Sequence, residues 1–247
     1  MKNNKKLPAD TTKVYGDIYN SIERSSELDT RFSANLRSFF QYGRLVSSAL
    51  HGISQNQTVL QLGQVFGYQI DEVAQLIGAY GQYDLIDINP FQVARNQEKY
   101  GHIYPCLNIF REDAATMKFE NKYDVVLCFM LLQEVPSATK SKIINNALRA
   151  AKPGGKVIFI DYHNPCAWHP LRYWVRMYNR LYHPFAEKLW DRGIENYAQN
   201  RPNFLWRKST YFGGMFQRLV ATKKSSPIEQ AIEADSFQAE NNSLPDF

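Results

Sequence analysis

The sequence predicts an α/β protein with a mostly parallel central sheet, helices on both faces and a C-terminal antiparallel strand pair. Three observations carry that expectation. Strand-length apolar runs near 58–62, 83–90, 106–110, 122–136 and 152–163 alternate with helical spacing, as in Ile70, Val73, Ala74 and Ile77. Glycines at 63 and 67 punctuate a strand-to-helix junction, and an acid, Asp87, follows about 20 residues later. Near the C-terminus a Gly-Gly turn separates two apolar-aromatic runs in STYFGGMFQRLVATKK, residues 209–224, the pattern of a hairpin.

Taken in order, residues 14–53 show helical patterning through Phe32, Leu36, Phe39, Phe40 and Leu45, a helical lid expected within 13–55. TVLQLGQVFG, residues 58–67, then resembles the first strand and nucleotide loop of class I S-adenosylmethionine-dependent methyltransferases. Those proteins carry an acid at the position of Gln61, which grips the ammonium of the cofactor's methionine, and Gly at the position of Val65. This chain offers Gln61, Gly63, Gln64, Val65, Phe66 and Gly67. A neutral Gln accepts a hydrogen bond but gives no ion pair, and Val-Phe adds bulk beside the ligand. Either the cofactor is lost or it is held differently.

The rest of the frame favours retention in a Rossmann-like class I methyltransferase fold. YDLIDINP, residues 83–90, reads as a buried strand ending at Asp87, placed to take two ribose hydroxyls, with Ile88 beside it. Its plain alternative is a solvated acid at a strand end. Asp113 and Ala114 follow the third strand, where an acid reaches an adenine amino group or simply caps a helix. KYDVVLCFMLLQEVP, residues 122–136, suits a central parallel strand and places Met130 beside the cofactor. A helix to about Ala151 leads to the fifth strand, KPGGKVIFIDYH, residues 152–163.

Side chains leaving the fourth and fifth strands of such a sheet face the reacting substrate. Here they are Gln133, Glu134, Asp161, Tyr162 and His163. Glu134, Asp161 and His163 are candidates for a divalent ion such as manganese, with His163 alternatively a general base or a hydrogen-bonded structural residue. Gln133, Glu134, Tyr162 and His163 form the catalytic candidates.

An aromatic and basic insertion spans 162–200. Within residues 168–182, Leu171, Trp174, Val175, Tyr178, Leu181 and Tyr182 fall on one helical face, while Arg172, Arg176 and Arg180 recur every fourth residue. Such a helix lies in a membrane interface or packs as a lid, and the two are compatible. Pro170 precedes it at a first-turn position.

The chain has 247 residues, 44% of them hydrophobic, enough for one good core. We expect one domain over 13–223, with polar tails at 1–12 and 224–247. Its net charge of +5 suits an anionic surface without implying a nucleic-acid partner. The three cysteines, Cys106, Cys128 and Cys166, lack paired spacing, which points to a reducing compartment and no structural zinc. No apolar stretch approaches the roughly 18–20 residues that span a bilayer. MKNNKKLPAD is basic but leads into no apolar segment, unlike a secretory signal.

With these segments in view, the chain resembles the rhodoquinone-biosynthesis proteins, a divergent class I methyltransferase-like family. The resemblance covers roughly 14–223 and rests on the VFG loop, the LLQEVP segment, DYHNPCAWHPLR and YFGGMFQRLVATK in this order and spacing. It implies a reaction on ubiquinone in which a ring methoxy group is replaced by an amino group, with S-adenosylmethionine as amino donor and manganese assisting. It further implies a cytoplasmic protein peripheral on the inner membrane, the mitochondrial one in a eukaryote. Two rivals stand beside it: a methyltransferase acting on a quinone or lipid, and a non-catalytic subunit of a quinone-synthesis complex.

Overall fold

The computed structural model describes residues 29–182 and 185–225. Helices α1 (Arg31–Arg37) and α2 (Tyr42–Leu50) precede strand β1 (Thr58–Leu62). Then come α3 (Gln69–Ile77), β2 (Gln82–Asp87), α4 (Pro90–Tyr100), β3 (Leu107–Arg111) and β4 (Tyr123–Phe129). After a 3-10 turn at Leu132–Glu134 the chain forms α5 (Ser137–Ala150), β5 (Ala151–Tyr162), α6 (Arg172–Tyr182) and α7 (Ala186–Arg192). Strands β6 (Phe204–Tyr211) and β7 (Phe216–Lys223) complete it. The expected tails lie outside the described residues apart from Lys224 and Ser225, as do residues 13–28 of the expected lid.

The seven strands form one sheet in the order β3-β2-β1-β4-β5-β7-β6. The first five are parallel, and β7 and β6 are antiparallel. Strands β1, β4 and the C-terminal half of β5 are buried on both faces, which explains their continuous apolar runs. Strand β6, at an edge, exposes most of its side chains. The hairpin begins at Phe204, five residues before the expected start, and its turn is the Phe212–Met215 stretch.

Local signals fix the helix ends. Asn89 caps α4 by accepting the Phe91 N–H at 3.0 Å, with Pro90 in the first turn, and Thr30 caps α1 through Ser33 N–H at 3.1 Å. Gly78, with φ +75°, ends α3. Because the five parallel strands point one way, the segments after β1, β2, β3, β4 and β5 gather at one edge, here called the carboxyl edge.

Two details of the aromatic segments differ from expectation. On α6, Val175 is buried but Trp174 faces solvent with Tyr173, because one residue step turns a helix by about 100°. In the N-terminal pattern Leu45 is buried, whereas Phe32, Leu36 and Phe40 are exposed and Phe39 and Phe40 take left-handed backbone between α1 and α2.

Candidate functional site

The loop after β1 is built around two glycines that admit no side chain. Gly63 has φ +78° and donates to Ile86 O at 2.8 Å, and a Cβ there would lie 3.3 Å from Leu131. At Gly67, φ is +102° and a Cβ would come within 2.8 Å of the Tyr42 hydroxyl. Between them Val65 and Phe66 are buried, so the bulk that replaces the usual glycine packs inward. Tyr42 donates to Phe66 O at 2.7 Å. Gly67 N–H donates to Asp29 at 2.8 Å, and the Asp29 carboxylate accepts from Arg95 and Lys99, each at 2.6 Å. Asp29 and Tyr42 escaped the sequence reading because the contacts bridge 38 and 24 residues.

Gln61 is fully buried, and its Oε1 accepts from the Tyr83 hydroxyl while Nε2 donates to Gly63 O at 3.3 Å. The oxygen expected to accept from a cofactor amine thus has one of its two acceptor sites taken by Tyr83 and is closed off by burial. Tyr83 is the residue that sequence reasoning missed here. Its position looked like an ordinary apolar strand residue.

At the end of β2, each oxygen of Asp87 accepts one backbone N–H, from Gln64 at 2.8 Å and Asn89 at 2.7 Å. A carboxylate has about four acceptor sites, so two remain for a vicinal diol. Burial pushes its pKa up, and these two bonds oppose that. Asp87 therefore ties the loop to β2. Neighbouring Ile88 accepts from Arg111 Nε at 3.1 Å through its carbonyl.

Asp113 folds its own turn: Oδ1 accepts Ala115 N–H at 2.8 Å, and its carbonyl accepts from Thr116 and Met117. Ala114 O accepts from Asn146 at 3.0 Å, fixing this turn to α5. Met130 leaves β4 with φ +54° while donating to Ile160 O at 2.7 Å. The loop, Asp87, Ile88, Asp113, Ala114 and Met130 thus share the carboxyl edge.

On the substrate side the metal expectation is corrected. Among the described residues no group of three His, Cys, Asp or Glu side chains comes together to hold a metal ion. Asp161 is buried and serves as an acceptor for Leu132 N–H at 2.9 Å, Gln133 N–H at 3.3 Å and Tyr162 N–H at 2.8 Å. It pins the β4 loop to β5. Burial pushes its carboxyl up to about 7, against the pull of those N–H groups and Lys140.

Glu134 sits half-buried on the 3-10 turn, its N–H bonded to Leu131 O at 3.0 Å. Gln133 donates to Met130 O at 3.3 Å, and its buried Oε1 has no partner among the described residues, an acceptor open to a ligand donor. Tyr162 is buried and stacked on Phe216 with ring centroids 4.9 Å apart.

His163 bonds through Nδ1 to Gly214 O at 2.9 Å, which in the neutral imidazole makes Nδ1 the donor and leaves the lone pair on Nε2. Burial, and next Lys208, push its pKa down and favour that neutral form. His169 fixes the turn before Pro170, accepting Leu171 N–H at 3.2 Å.

Comparison with known proteins gives the frame a relation. Residues 59–155 match the model of a methyltransferase domain. Among curated relatives, the ubiquinone/menaquinone biosynthesis C-methyltransferase of Idiomarina loihiensis is 27% identical over 117 residues, 46% of each chain. The chain spans about half the length of that relative.

Among solved structures, a SAM-dependent methyltransferase from Aquifex aeolicus has a TM-score of 0.57 at 16% identity, covering 81% of this chain and 97% of its own. Phosphoethanolamine N-methyltransferase 2 of Haemonchus contortus, in complex with S-adenosyl-L-methionine, scores 0.61 at 14% identity over 90% of this chain and 61% of its own. The fold is the Rossmann-like class I methyltransferase fold.

Proposed function

We propose that the chain is an S-adenosylmethionine-dependent transferase that aminates ubiquinone to rhodoquinone, replacing a ring methoxy group by an amino group. The observation that carries this is the Gln61–Tyr83 pair. Where an acid would hold a cofactor ammonium charged, this chain has a neutral, fully buried amide bonded to a buried phenol. Without a carboxylate neighbour an amine loses its proton more easily.

The loop at 63–67, Asp87, Ile88, Asp113, Ala114 and Met130 would hold the cofactor, since two Asp87 acceptor sites and the glycine backbone fit a nucleoside. When bound, S-adenosylmethionine supplies the amino nitrogen. Neutral His163, with its Nε2 lone pair, serves as the base that takes a proton from that nitrogen. Gln133 Oε1 accepts from the same amine and orients it. Tyr162, stacked on Phe216, stiffens the end of β5 beneath the reacting groups. Glu134 sits on the adjoining turn as an alternative proton acceptor. Glu134, Asp161 and His163 do not fit a manganese ion, and no step runs through one.

Quinone chemistry is also what the curated relatives' names describe, and it favours a second reading, methyl transfer to a quinone ring. No helix among the described residues is long and apolar enough to cross a membrane. We place the chain in the cytoplasm and peripheral on the inner membrane, with residues 168–182 meeting the lipid surface. The test is incubation of the purified chain with S-adenosylmethionine and a short-tailed ubiquinone, followed by mass analysis of the quinone. Exchange of methoxy for amino is the expected product. A methylated quinone with S-adenosylhomocysteine selects the second reading, and failure to bind S-adenosylmethionine selects a non-catalytic subunit.

A further inference from the structure

Two segments far apart in sequence, one ending at Phe40 and the other starting at Trp168, expose apolar side chains beside the carboxyl edge. Phe32, Leu36 and Phe40, on and just after α1, are each more than half exposed, as are Trp168, Tyr173 and Trp174 on and just before α6. Contacts bring both to one rim. Asp29, next to α1, binds Gly67 N–H directly after β1. From α2, Ser48 bonds the Tyr211 hydroxyl at 2.8 Å and Arg44 lies 5.4 Å over the Tyr211 ring. One residue on, Phe212 packs edge-on against His169, 5.0 Å between centroids, at the foot of α6. The β6–β7 turn therefore joins the two helical segments.

Their composition agrees with their exposure. Helix α1 holds Arg31 and Arg37, α6 holds Arg172, Arg176 and Arg180, and neither contains an Asp or Glu. Exposed aromatics and aliphatics on two Arg-containing helices that carry no Asp or Glu match the interfacial zone of an anionic bilayer, and the net charge of +5 adds to the attraction. Scattered exposed apolar residues need no explanation, but two such groups beside one sheet edge do.

We propose that α1 and α6 together seat the carboxyl edge on an anionic lipid surface, so that the site opens toward the acyl phase. This rests on the quinone reading only in that a long-tailed quinone would enter from that phase. Once seated, the α1 group carries a share of the binding equal in kind to that of α6.

Sedimentation of the full chain with phosphatidylcholine vesicles containing phosphatidylglycerol, with no quinone present, tests the docking by itself. Wild type should pellet, and high salt should release it. Joint replacement Phe32→Ser, Leu36→Ser and Phe40→Ser should weaken partition at least about tenfold, as should Trp168→Ser, Tyr173→Ser and Trp174→Ser. Hydrogen exchange on wild type needs no variant: vesicles should protect both 31–40 and 168–177.

Protection confined to 168–177, or an α1 variant that pellets like wild type, overturns the two-helix rim. So does a wild type that is dimeric without lipid and a variant that is monomeric, since the face then covers a second copy. A chain that aminates soluble short-tailed quinone yet ignores vesicles overturns this inference and leaves the enzymatic reading intact.

Discussion

Asp87 and Gln61 lie one strand apart, and the structure gives them opposite roles. Asp87 keeps acceptor capacity at the carboxyl edge while anchoring Gln64 and Asn89. Asp87→Ala should weaken S-adenosylmethionine binding by about 1.5–3 kcal/mol for each charged hydrogen bond lost, read by calorimetry on folded protein. Unchanged affinity would place the ribose elsewhere. Gln61 is buried against Tyr83. From the sequence alone, Gln61→Glu promises an ion pair with a cofactor amine. In the structure it buries a carboxylate beside a phenol, so the expected result is lower stability without tighter binding. Tyr83→Phe, which strands the Gln61 oxygen, should cost on the order of 1–3 kcal/mol in urea unfolding. A neutral outcome would mean the pair is not formed in solution.

Asp161 sets a pH dependence at the same scale. Its carboxyl is held at about 7 in the fold, against an ordinary 3.8. Between those values the folded chain keeps a proton that the unfolded chain releases, so this group's contribution is present in acid and fades as pH rises through about 7. His163, pushed below its ordinary 6.5, acts in the opposite sense on the acid side. The informative comparison is therefore with Asp161→Asn, which should flatten the decline in stability between about pH 4 and 7. Parallel curves for variant and wild type would show that Asp161 ionises normally.

At the level of elements, helix starts were readable because their chemistry is local. Asn89-Pro90 marks α4 in sequence and caps it in space. Asn89→Ala should lower stability by about 1 kcal/mol, within the usual range for a lost N-cap, measured by thermal or urea unfolding. The faces of α6 were less readable. Helical spacing groups Trp174 with Val175, yet of the two only Val175 is buried, on a helix that packs against α7. Sequence periodicity gives a stripe's existence. Its width depends on what packs against it.

For the whole molecule, the sheet orders stability from the centre outward. Strands β1, β4 and β5 are flanked on both sides, whereas β3 and β6 are edges and β6 is largely exposed. Amide exchange should be slowest in β1, β4 and β5 and faster in β3 and β6. Fast exchange in β4 would argue against this strand order.

The α/β alternation, the carboxyl-edge loop and the terminal hairpin were legible from the chain because each is written in short-range pattern: apolar runs and glycine punctuation. Tertiary structure alone decided which polar atoms those residues have left to use. Asp161 looked like a metal ligand until three N–H groups from Leu132, Gln133 and Tyr162 were seen to converge on it. Gln61 looked available until Tyr83 arrived from the neighbouring strand. Asp29 and Tyr42 entered the loop's surroundings from far upstream. A hydrogen-bonding group can spend each acceptor site once, and its partner is set by proximity in space, which a linear sequence does not state.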